Sequence, residues 1–213
     1  LEPAFADGPD SLVPFLEHSH DLYMRWGENL EGWLRGEPWG TRRRGGGGVQ
    51  RFGTAMRAMA ARVAHRVADV LDLSEARSMV DVGGGTGTYA RVLCERNPGL
   101  RAVVLDTPET ARLGAAEVAD TPFAGRVAFV GGDYFETDPG GDRDLALLAN
   151  VLHQETPERA AALVARAAGW LAVGGVLAAL DFSLDADPRR TVVGALFAIN
   201  MRSEERRVGK ECA

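Results

Sequence analysis

Lysine is all but missing from this chain: of its 24 basic residues only Lys210 is not an arginine. Cysteine is nearly as rare. Cys94 and Cys212 make neither a disulfide framework nor a metal-binding spacing, and a reducing, cytoplasmic setting is the expectation. Aromatic content is low, at 7%, yet 46% of the residues are hydrophobic, enough to bury a sizeable core. No uncharged apolar run reaches the roughly 18 residues of a membrane span, so a membrane is not expected as a partner. No charged-then-apolar leader opens the chain, and a start at Leu1 rather than Met reads as a fragment or processed product. The net charge is −6, and the one dense basic run, Arg42-Arg43-Arg44, precedes four glycines. That combination reads as a solvated flexible loop, and no nucleic acid is expected as a partner.

Lys210 and Cys212 both fall in the last dozen residues, RSEERRVGKECA. This segment resembles the translation of a sequencing-adapter read-through joined after Met201. Residues 202–213 are therefore expected to be a non-native tail and are set apart from the fold.

Leu22, Trp26, Leu30, Trp33 and Leu34 recur at helical spacing within 12–35, closed by Gly36 and Pro38. His18 and His20 there read as packing or surface residues, as does His65 further on. A second helix is expected over 50–71, where Phe52, Met56, Met59, Val63, Val67 and Val70 form one apolar stripe. From residue 78 short apolar runs alternate with helical patterns. Strands are expected at 78–82, 102–105, 127–130, 145–151 and 175–182, with helices at 86–95, 110–118, 157–171 and 188–201. Such alternation predicts βαβ units and a parallel α/β sheet covered on both faces. The first and fourth strands should be central, with the chain reversing after the first.

The first strand runs into Val80-Asp81-Val82-Gly83-Gly84-Gly85-Thr86-Gly87. Gly83, Gly85 and Gly87 let the backbone turn tightly and approach a nucleotide. The spacing differs from the dinucleotide fingerprint because position 88 is Thr. Asp81 suits a cationic ligand and would repel a pyrophosphate, so an NAD(P)-dependent oxidoreductase is the weaker alternative. Asp106 ends the second strand, 25 residues after Asp81, where an acid can take the hydroxyls of a ribose; capping of the next helix stays open beside that. Asp133, after the third strand, can accept from an adenine amino group while Tyr134 covers a ring face. His153 lies just past the fourth strand, at the same sheet edge. An imidazole titrates close to neutrality and can take the proton of an acidic hydroxyl, although a histidine at a strand end can equally be structural.

With these pieces in place, 78–201 resembles the O-methyltransferase family that contains plant caffeate O-methyltransferases and bacterial polyketide and antibiotic O-methyltransferases. The matching stretches are VDVGGGTG, VVLDTPET, GGDYF, DLALLANVLHQETPE and VGGVLAALDFSLD. Upstream, RFGTAMRAM and LYMRWGENLEGWLRGEP resemble that family's linker helix and the end of its winged-helix-like dimerisation domain. The resemblance implies a Rossmann-like methyltransferase domain, incomplete at its C-terminal strands, over 78–201. It implies a linker helix over 49–77, the remnant of a helical dimerisation domain over 1–48, and a homodimer in the full-length protein.

The cofactor implied is S-adenosylmethionine, and the partner a small hydroxylated acceptor, aromatic or polyketide-like. The family's cofactor contacts fall on Gly83, Asp106, Asp133 and Tyr134, with Ala149 where many plant members have a lysine, so that a contact there must use backbone. The catalytic base falls on His153 and the acid that orients it on Asp181, shorter than the glutamate of many members. Phe52, Met56 and Asn150 fall on positions facing the acceptor. A further supporting acid of the family lies beyond Met201. A relative that binds the cofactor without catalysis is the second alternative.

Overall fold

Apolar runs such as Met79-Val80 and Leu145-Ala146-Leu147-Leu148 are buried on both faces, as strands inside a parallel sheet must be. The computed structural model describes residues 5, 11–37, 48–182 and 197, without the side chains of 33 and 48–52. The helix expected over 188–201, the tail at 202–213, the Arg42–Arg44 run and the side chain of Phe52 lie outside the described residues. The chain divides into two units, 1–58 with 182–213 and 59–181.

In the first unit, α1 covers Val13–Leu34 and buries Trp26, against which Tyr23 stands edge-on at 5.2 Å. Helix α2 covers Gly48–Val70, and its later part, with Ala60 and Ala64, packs on the sheet core. The sheet contains β1 (Ser78–Val82), β2 (Arg101–Asp106), β3 (Val127–Gly131), β4 (Arg143–Ala149) and β5 (Leu171–Leu180). All pairs are parallel, in the order β3-β2-β1-β4-β5. The reversal beside β1 is the one expected, and it leaves the glycine loop at the switch point.

Three helices alternate with the strands: α3 (Thr88–Arg96), α4 (Pro108–Val118) and α5 (Pro157–Ala168). Thr107-Pro108 and Thr156-Pro157 start α4 and α5 in the same way. Each threonine accepts from the third helical amide, and each proline takes the first helical position, where no amide hydrogen is required. Side chains alternate across each strand. Met79, Val104, Leu145 and Leu147 join one core with α2 and α3, while Val80, Val82, Leu105 and Leu148 join the other with Leu163 and Trp170.

Several boundaries move from their expected places: β4 runs over Arg143–Ala149 rather than 145–151, α4 begins at Pro108 rather than 110, and β5 ends at Leu180 rather than 182. Helix α3 begins at Thr88 rather than 86, because Gly87 stands before it with φ 79°. Helix α5 stops at Ala168 rather than 171, and β5 begins at Leu171 rather than 175. Between the pairs Arg143–Leu171 and Leu145–Val176, β4 advances by two residues and β5 by five. The excess forms a bulge at Gly174, whose φ of 85° suits glycine, and Val173 is left fully exposed.

Gly114 on α4 faces Phe129 of β3 so closely that any β-carbon there would collide with the ring. Gly114→Val should therefore cost ~1–3 kcal/mol of stability by overpacking. Placed in a Phe129→Ala background, the two losses should be less than additive. Urea unfolding of the four chains measures both; full additivity would mean that the ring is not the obstacle.

Candidate active site

Five strand ends and the loops that leave them meet at one edge of the sheet. Leaving β1, the chain takes left-handed backbone at Gly83 (φ 66°) and Gly85 (φ 62°). At Gly83 a β-carbon would sit 2.9 Å from a Val151 methyl; at Gly85 it would meet no protein atom within 4 Å. The space over Gly85 is thus open, and only a residue without a side chain leaves it so. Asp106 shapes this loop. Its Oδ2 accepts the Gly85 N–H at 2.9 Å and its Oδ1 the Thr107 N–H at 2.7 Å. The helix-capping duty next door belongs to Thr107. A carboxylate with two such bonds still has lone pairs for a further donor.

Asp81 lies under the loop, its carboxyl against Gly84. It is completely buried, and neither oxygen meets a donor in hydrogen-bond geometry. The Ala90 amide in the first turn of α3 favours the charged form. Burial dominates, the nearby charge of Asp106 adds to it, and the carboxyl is pushed from an ordinary 3.8 to about 7. An unpartnered buried acid beneath an open glycine cradle fits a cationic nucleoside ligand.

Asp133 is exposed, and its Oδ1 accepts the Phe135 N–H at 2.7 Å. Tyr134 is half-buried, and its hydroxyl donates to Glu155 Oε1 at 2.5 Å; burial and that acid raise its pKa well above the ordinary 10.0. Sequence reasoning passed over Glu155. Its only signal is an acid two residues beyond His153.

Beyond β4, Asn150 adopts φ 57° and a single 3-10 turn, Leu152–Gln154, carries His153. Asp181, just past β5, takes hold of this turn twice. Its Oδ1 lies 2.6 Å from His153 Nδ1, and its Oδ2 accepts the His153 backbone N–H at 3.1 Å. The aspartate is long enough because the strand end brings its backbone close. With Nδ1–H given to Asp181, a neutral ring carries its lone pair on Nε2. The two side chains are 15% and 17% exposed, within reach of a ligand.

Ala149, nearly buried, is the last residue of β4. Asn150 directs its amide to the Tyr89 hydroxyl at 3.4 Å, and burial pushes that phenol to about 12. Met56 is half-buried on α2, in the other unit. Among the described residues no group of three His, Cys, Asp or Glu could hold a metal ion.

The Asp81 carboxyl makes stability depend on pH. Its acid form is favoured by the fold, so its stabilising contribution is complete below about 4 and is lost as pH rises through about 7. Without ligand, the unfolding free energy should fall over that interval by on the order of a few kcal/mol from this group. Asp81→Asn should flatten the slope. Denaturant titrations at several pH values measure it, and identical slopes in the two proteins would defeat the burial argument.

The O-methyltransferase domain model matches residues 34–212. The tetracenomycin polyketide synthesis 8-O-methyl transferase of Streptomyces glaucescens is 34% identical over 147 residues, covering 69% of this chain and 43% of that protein. The 3-hydroxy-5-methyl-1-naphthoate 3-O-methyltransferase of Streptomyces sahachiroi is 30% identical over 138 residues, covering 65% of this chain and 40% of that one. The chain thus spans about two fifths of the length of these curated relatives. Human N-acetylserotonin methyltransferase, solved with S-adenosylmethionine, superimposes with a TM-score of 0.76 at 25% identity, over 91% of this chain and 59% of its own. A mitomycin 7-O-methyltransferase shares the fold with a TM-score of 0.77 at 24% identity, over 93% and 61%. The glycine loop, the acids at the strand ends and this extent of match make the chain a member of the O-methyltransferase domain family.

Proposed function

We propose that the protein transfers a methyl group from S-adenosylmethionine to a hydroxyl of a small aromatic or polyketide-like acceptor. The observation that carries this reading is the His153–Asp181 pair, 2.6 Å apart, at the sheet edge that also holds the glycine loop. When bound, the cofactor supplies a methyl group activated by a sulfonium. Gly85 leaves it room, Gly83 and Gly87 let the loop turn tightly against Val151 and Phe129, Asp106 and Asp133 would accept from its nucleoside, and Asp81 would offset its positive charge. Tyr134 forms a wall of the pocket, and Ala149 contributes backbone.

His153 takes the acceptor's hydroxyl proton on Nε2 as the oxygen attacks the methyl carbon. Asp181 keeps the proton on Nδ1, aims the ring and stabilises the imidazolium that forms. Alignment of the two substrates supplies much of the remaining rate. Asn150 faces the acceptor in this reading. Residues 78–201 act as the methyltransferase domain, with 49–77 as linker and 1–48 from a dimerisation domain, so the working form is a homodimer in the cytoplasm. Among the described residues no helix is long and apolar enough to cross a membrane.

Asp106→Ala should weaken S-adenosylmethionine binding by ~1–3 kcal/mol, since a ribose hydroxyl and the Gly85 amide both lose an acceptor. Gly85→Val should weaken it further by filling the open space and opposing the positive φ. Calorimetry on both variants tests the cofactor assignment, and unchanged affinities would remove it.

His153→Ala should slow methyl transfer by ~10²–10⁴-fold with cofactor affinity nearly unchanged, because the base acts on the acceptor. Asp181→Asn should cost less. Mass spectrometry of methylated product from a panel of phenols measures these rates, and a His153→Ala protein that keeps most of its rate would refute the base.

A further inference from the structure

Glu155 is left without a role by the mechanism above, yet its side chain, two residues past His153, is only 11% exposed. A carboxylate so placed must find donors, and it finds two. The Tyr134 hydroxyl donates to Oε1 at 2.5 Å and Arg159 Nε to Oε2 at 2.5 Å. Arg159 lies one helical turn further on, its guanidinium 4.1 Å over the Phe135 ring, and Phe135 in turn meets Tyr134 edge-on at 5.1 Å. On the other side of Tyr134, Arg166 of α5 donates to the Tyr134 carbonyl at 2.8 Å and to that of Thr137 at 3.1 Å. The loop after β3 is therefore tied to α5 through its backbone, and to the turn after β4 through a single phenol–carboxylate bond.

That turn is short. Its internal bonds are Gln154 N–H to Val151 O at 3.2 Å, Glu155 N–H to Leu152 O at 3.1 Å and Gln154 Nε2 to Asn150 O at 3.1 Å, and Leu152 packs on the core beside it. Asp181 grips it at His153. The Tyr134–Glu155 bond grips it two residues later, from the opposite neighbour. Charge-assisted bonds of this length are among the stronger ones a side chain makes.

We infer that Glu155 is a positioning residue: by accepting from Tyr134 it fastens the turn that carries His153 to the wall of the nucleoside pocket, so that filling the pocket orders the base. This rests on the cofactor reading above. A ligand that packs on the Tyr134 ring narrows that ring's motion, and the bond passes the restriction to residues 152–155.

Amide hydrogen exchange with and without S-adenosylmethionine tests it. In the wild-type chain the cofactor should slow exchange over 152–155. Glu155→Ala should bind the cofactor within about threefold of wild type, lose that added protection and slow methyl transfer about tenfold. Glu155→Gln, which still offers an oxygen to the phenol, should keep most of both. Tyr134→Phe removes only the hydroxyl and should abolish the protection even where Glu155→Ala does not fold. Undiminished protection in Tyr134→Phe, or a Glu155→Gln protein no better than Glu155→Ala, would overturn the inference while leaving the cofactor site intact. A wild-type chain that does not bind S-adenosylmethionine would instead overturn the functional reading, and this one with it.

Discussion

Because all five strands run the same way, every strand–loop junction that follows a strand opens on one edge of the sheet. The rest of the molecule follows from this constraint. The glycine loop leaves β1, Asp106 ends β2, Asp133 and Tyr134 follow β3, His153 follows β4 and Asp181 follows β5. The hydrogen-bonded register brings the first of these side by side, with Val82 opposite Leu105 and Asp106 opposite Gly131. The central strands β1 and β4 are buried almost throughout, so the exposed carbonyl edge is the natural place for polar side chains.

The two acids nearest the loop differ because their surroundings do. Asp81 and Asp106 lie at the ends of adjacent strands, on the side chain parity that faces α3. Asp106 is reached by two backbone amides and shapes the loop from above. Asp81 is sealed beneath Gly84 with no aligned donor, and burial holds its proton on until near pH 7. One carboxylate thus builds the cradle, while the other stores an unmet demand for positive charge.

The turn after β4 depends on contacts that come from three directions. Asn150 leaves the strand in left-handed backbone and gives its amide to Tyr89 on α3. Asp181 reaches His153 from the end of β5, and Tyr134 reaches Glu155 from the loop after β3. Few of these residues lie near one another in the chain. The histidine's orientation is consequently a property of the sheet order, and would be lost if β4 and β5 were not neighbours.

Local chemistry was enough to read the five strands, the helices between them and the glycine loop. Alternating apolar runs, helical spacing and the Gly83–Gly87 spacing each act within a few residues. Asp81, Asp106, Asp133 and His153 were legible for the same reason, since each ends a recognisable strand. The pairing of His153 with Asp181 needed a family resemblance, because 28 positions separate them and only the β4–β5 register closes that distance. Glu155 was invisible: nothing in Gln154-Glu155-Thr156 announces that its carboxylate will be buried, since a tyrosine 21 positions earlier decides that. The bulge that starts β5 at Leu171 was missed likewise, because a strand can begin ahead of Gly174 only where a neighbouring strand supplies the bonds. Sequence sets what each residue can donate, accept or bury; which donor meets which acceptor is decided only when non-local backbone pairing sets the distances.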